Sequence, residues 1–122
     1  MTAAKILALS IDPLLVEELQ TALEQARIVH SLCVLADAAG PIDLANVDLV
    51  FCPTREDDLR RVLDAVATQK PGLPVVVLSR LPEVSQWLDA IEAGAADYCA
   101  APLEPVQMRW LFDSHLKRRR AA

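Results

Sequence analysis

Five short apolar runs, separated by stretches of helical periodicity, constrain the possible folds of this chain more than any other feature. The runs are "KILAL" (5–9), "VHSLCVL" (29–35), "DLVFC" (48–52), "PVVVLS" (74–79) and "DYCA" (97–100). None alternates strictly between apolar and polar residues, the pattern of strands covered on both faces. Strands alternating with helices require right-handed crossovers, which predicts a parallel α/β sheet with helices on both sides.

The intervening segments carry apolar stripes at helical spacing. Leu15, Leu19, Leu23 and Ala26 share one face of the first expected helix, and Leu59, Val62, Leu63 and Val66 one face of the third. Val84, Trp87, Leu88 and Ile91 form a stripe on the fourth, and Met108, Leu111, Phe112 and Leu116 one on the last, which spans about 105–119. All four stripes are expected to face the core. A second helix, near 37–45, is weakly patterned and is expected to be short or irregular. Asp12 before Pro13 reads as an N-cap followed by proline at the first helical position. Thr54 with Asp57 resembles a capping box, and Gly94 suits a left-handed helix end.

With 122 residues, the chain is expected to form one domain over 1–122, with 117–122 a basic tail or the start of a linker. Hydrophobic residues make up 53% and aromatics 4%, so the core is expected to be aliphatic. A net charge of −5 disfavours direct binding to nucleic acid. The basic run Lys117 to Arg120 complements a helix C-terminus or contacts an acidic partner. The three cysteines, Cys33, Cys52 and Cys99, lie far apart in apolar stretches, which predicts buried free thiols in a reducing compartment. No apolar run reaches transmembrane length and no signal-peptide pattern is present, so the expectation is a cytoplasmic protein without membrane contact.

In an open parallel sheet, function concentrates beyond the carboxyl ends of the strands. Ser10, Ile11 and Asp12 stand there after the first strand, Cys52 and Pro53 after the third, Ser79 and Arg80 after the fourth, and Ala100, Ala101 and Pro102 after the fifth. The three glycines form no phosphate-cradling loop. His30 and His115 are isolated, the first expected in a strand and the second at a polar position late in the last helix.

The segment "PVVVLSRLPEVSQWLDAIEAGAADYCAAPLEP" (74–105) resembles the second half of a response-regulator receiver domain, and "ILALSIDPLL" and "DLVFCP" resemble motifs of its first half. The resemblance spans nearly the whole chain. It implies a flavodoxin-like, doubly wound (βα)5 architecture with strand order 2-1-3-4-5. In that family an acidic pair after strand one holds Mg²⁺, an Asp ending strand three accepts a phosphoryl group, and a Lys after strand five contacts it. Those positions fall on Ser10 and Ile11, on Pro53, and on Ala101, none of which carries the needed group. Ser79 remains at the Ser/Thr position and Tyr98 at the aromatic position that moves with it.

The resemblance therefore implies a degenerate phosphorylation site at Ser10, Ile11, Asp12, Pro53, Ser79 and Ala101, with Ser79 and Tyr98 as switch-like residues. A substitute role for Asp12 as metal ligand, or for Glu56, Asp57 or Asp58 as acceptor, competes with capping and helix-dipole roles. No catalytic residue, metal or cofactor is expected, and the chain is not expected to be an enzyme. The function implied is a receiver-like signalling domain in two-component or related regulation, independent of phosphorylation. It would act through the face made by helix four, strand five and helix five, including Trp87, Arg109 and Trp110. Its partner would be a regulatory or output domain, a histidine kinase, or a second copy. The alternative is a small flavodoxin-like nucleotide-binding or redox-sensing module using Cys52, for which Arg55 or Arg80 would have to lower the thiol pKa.

Overall fold

The five apolar runs form β1 (Ala4–Leu9), β2 (His30–Leu35), β3 (Leu49–Cys52), β4 (Val75–Ser79) and β5 (Asp97–Ala100) of one sheet. A computed structural model describes residues 3–36, 41–80 and 84–121, with side chains through Leu116. All neighbouring strands are parallel, in the order β2-β1-β3-β4-β5, so the expected doubly wound topology is present. The chain reverses direction of winding between β1 and β3, which opens the crevice at their carboxyl ends.

Four helices flank the sheet among the described residues: α1 (Pro13–Gln25), α2 (Glu56–Gln69), α3 (Val84–Ala93) and α4 (Pro105–Ala121). Because side chains alternate along each strand, the sheet divides the interior into two cores. Ile6, Ala8, Phe51, Leu78 and Cys99 pack with Leu19 and Leu23 of α1 and Met108 and Leu111 of α4. Leu7, Leu9, Val50, Cys52 and Val77 pack on the other face with Leu59 and Val62 of α2. The stripes of α1, α2 and α4 thus face inward, apart from Leu63, which is half-buried, and Ala26, which falls at the helix end.

Local signals set most helix ends. The Asp12 carboxylate accepts the Leu14 N–H at 2.8 Å, and Pro13 occupies the first helical position, as expected. Gly94, at φ 121°, closes α3, with Gly94 N–H donating to Ile91 O and Ala95 N–H to Ala90 O. The expected capping box at Thr54 is absent. Arg55 is the N-cap of α2 and makes no side-chain cap, while Glu56, Asp57 and Asp58 supply negative charge to the first turn.

Three further expectations change. The helix expected near 37–45 lies partly outside the described residues, and residues 41–47 form no helix. That segment is held on α2, since Gln69 accepts from Leu44 N–H and donates to Ile42 O, and the Lys70 ammonium donates to Val47 O. It buries Leu44 but leaves Ser31 and Cys33 of the edge strand β2 uncovered, so Cys33 is exposed, not buried. The stripe of α3 also faces solvent, with Val84 69%, Trp87 46%, Leu88 50% and Ile91 40% exposed. Ala90 takes the sheet-facing position instead. The short turn into β5, closed by the Ala95 bond and by Ala96 N–H on Val75 O, fixes the rotation of α3 more firmly than its stripe does.

Candidate functional site

β1 delivers Ser10, Ile11 and Asp12 to the crevice. Ser10 adopts φ 57° and donates its N–H to Leu35 O, which turns the chain sharply off the strand. Ile11 is buried, and Asp12 is turned outward at the start of α1. β3 ends at Cys52, followed by Pro53, and β4 at the buried Ser79. After β5, Ala101 N–H donates to Ser79 O, and a cis peptide bond joins Ala101 to Pro102. The Glu18 carboxylate on α1 accepts the Leu103 N–H at 2.6 Å and anchors the end of this loop.

The crevice thus gathers Ser10, Ile11, Asp12, Pro53, Ser79 and Ala101 at one end of the sheet, in the positions expected from the sequence. Its one carboxylate from the strand ends is already engaged. Asp12 Oδ2 accepts from Arg80 Nε at 3.1 Å and pairs with Arg80 Nη2 at 3.0 Å. Since β3 lies between β1 and β4, this pair passes over the end of β3, where Pro53 stands. The Leu14 N–H, with Arg80 behind it, holds the Asp12 carboxyl below its ordinary value. A carboxylate with one oxygen on a helix N-terminus and the other on a guanidinium has little capacity for Mg²⁺, which demands several hard oxygens in near-octahedral array. No group of three or more His, Cys, Asp or Glu among the described residues is arranged to hold a metal. Sequence reasoning missed the Asp12–Arg80 pair, because no local signal links positions 68 residues apart.

The acidic residues of the α2 first turn do not enter the crevice as a group: Glu56 pairs with Arg60 at 3.1 Å, and Asp58 lies 3.9 Å from Arg55. Cys52 is fully buried, and burial, with Asp58 nearby, pushes its thiol up to about 12. A reactive thiolate needs the opposite environment. Arg80 pairs with Asp12 and Arg55 lies 3.9 Å from Asp58, so the lowering of the Cys52 thiol that the alternative redox reading would require is not seen among the described residues. Cys99 is likewise pushed up to about 12 by burial and by Asp97.

Tyr98 packs inward among the core residues on the α2 side of the sheet. Its hydroxyl is buried and finds no hydrogen-bond partner among the described residues. Trp110 is 60% exposed, together with Val106 on the same helix. Arg109 does other work: its guanidinium donates to Ala26 O and Arg27 O at the end of α1 and lies 4.0 Å from Asp113, so it ties α4 to α1. His115, expected to be isolated, sits 3.3 Å from Asp97 and edge-on to Trp110. The side chains of Lys117 to Arg120 lie outside the described residues. No helix among those described is long and apolar enough to cross a membrane.

No family model matches the chain. Over 64 residues, 51% of this chain, it is 41% identical to the alginate biosynthesis transcriptional regulatory protein AlgB of Pseudomonas syringae pv. tomato, and it spans 14% of that protein's length. The signal receiver domain of an HD domain-containing protein from Pseudomonas fluorescens Pf-5 superposes with TM-score 0.78 at 20% identity, over 99% of this chain and 100% of that one. The receiver domain of NtrX from Brucella abortus superposes with TM-score 0.71 at 25% identity, over 92% and 98% of the two chains. The chain therefore has the flavodoxin-like fold of response-regulator receiver domains.

Proposed function

We propose that the chain is a receiver-like signalling domain of two-component or related regulation that operates without phosphorylation. The observation that carries this reading is the crevice itself: Ser10, Ile11, Pro53 and Ala101 offer neither carboxylate nor ammonium, and Asp12 is paired with Arg80. Phosphoryl transfer to a carboxylate needs an acceptor and a cation to neutralise the transferred oxygens. In place of that chemistry the domain presents a binding face. The solvent-facing stripe of α3, the edge strand β5 and Trp110 of α4 join apolar area with two exposed tryptophans, the residue type most enriched at interaction hot spots.

Its partner is a regulatory or output domain, a histidine kinase or a second copy, and the likeness of half of this chain to 14% of a transcriptional regulator favours an output domain on the same chain or a partner chain. The inward Tyr98 and buried Ser79 would respond to such a partner only through its differential affinity for two arrangements. The test is a two-dimensional amide NMR spectrum with and without Mg²⁺ and beryllofluoride. Unmoved resonances for residues 10–12, 52–58, 79 and 98 are expected. Concerted shifts there would show that a substitute carboxylate accepts the phosphoryl mimic and would overturn the reading.

A further inference from the structure

On the side of α3 opposite its apolar stripe, a cleft of about 480 Å³ separates α3 from α2. Its floor is made by Leu59 and Leu63 from α2 and by Ala90 and Ala93 from α3. The lining positions recur at three- and four-residue spacing on both helices, from 56 to 64 and from 86 to 93. At 1.5 Å per residue this makes a trough about 10–12 Å long, two turns of helix. Alanines on one wall allow a third helix axis to approach closely.

The charge around this trough is one-sided. Glu56, Asp64 and Asp89 line it, and the one cation that lines it among the described residues, Arg60, is already paired with Glu56 at 3.1 Å. We infer that this cleft docks an amphipathic helix of a partner protein, with aliphatic residues seated on the Leu59, Leu63 and Ala90 floor and Lys or Arg on its edges facing Asp64 and Asp89. This is the helix-in-groove mode, with affinity from the apolar floor and orientation from the charged rim. The surface is distinct from the α3 stripe, so α3 lies between two docking faces.

The experiment is a selection from an unbiased phage-displayed library of helix-stabilised peptides against the whole chain, followed by amide NMR mapping of the winners. Asp64 and Asp89 are exposed, so the double variant Asp64→Lys/Asp89→Lys is expected to keep the wild-type amide spectrum away from the cleft. The expected winners are enriched in Lys and Arg, shift resonances of residues 56–64 and 86–93, and lose at least about tenfold in affinity for the double variant. The inference fails if no peptide is selected, if winners carry no basic bias, if they map to Trp87, Leu88 and Ile91, or if the double variant binds them undiminished.

Discussion

At the scale of single residues, Asp12 shows how one side chain redirects a site. Its two oxygens serve the α1 N-terminus and Arg80, and the charge of the crevice is neutralised from within. The Leu14 N–H and Arg80 lower its carboxyl pKa in the fold, so its stabilising contribution is fully present above its unfolded value, near pH 4, and is lost as pH falls through the lower folded value. Thermal melts of Asp12→Asn against the parent should therefore differ at pH 6, and the difference should shrink as pH is lowered below about 4; a difference independent of pH would deny the ionised interaction. Tyr98 makes a second case. A buried hydroxyl without a partner costs about 1–3 kcal/mol, and Tyr98→Phe is expected to raise stability by about 1 kcal/mol in urea titration. A loss of similar size would reveal a hydrogen bond that the hydroxyl makes in solution.

At the scale of elements, α1 and α3 carry apolar stripes of similar quality and put them to opposite use. Leu19 is fully buried, and Leu19→Ala is expected to cost about 2–5 kcal/mol. Leu88 is half exposed, and Leu88→Ala should stay within about 0.5 kcal/mol while weakening partner binding. Chemical denaturation of the two variants separates these roles, and equal losses would place the α3 stripe in the core. Periodicity was legible for both helices because it depends only on the spacing of residues. The direction of the stripe was not, because it depends on how the Gly94–Ala96 turn couples α3 to β5. The helix expected before β3 had little stripe to support it, and 41–47 form none: the segment is held by Leu44 in the core and by bonds from Gln69 and Lys70.

At the scale of the whole molecule, the two cores and the edges of the sheet determine what is accessible. Burial on both sheet faces hides Cys52 and Cys99, while the uncovered part of β2 leaves Cys33 open. In the native protein a thiol-specific reagent should modify Cys33 rapidly and the other two only on unfolding. Mass spectrometry of a brief iodoacetamide pulse checks this, and early labelling of Cys52 would revive a redox reading. The face formed by α3, β5 and α4 and the cleft between α2 and α3 likewise exist only once the sheet has brought distant segments together.

The sequence by itself determined the number and place of the five strands, their parallel pairing and the residues gathered at their carboxyl ends. Those features follow from short-range apolar pattern and from the handedness of strand-helix-strand connections. Only the tertiary structure decided that Asp12 would be held by Arg80, that Arg109 would cap α1, that His115 would meet Asp97 and that the α3 stripe would face solvent. Each of these depends on the relative placement and rotation of elements far apart in the chain, which packing against the common sheet sets and local periodicity does not record.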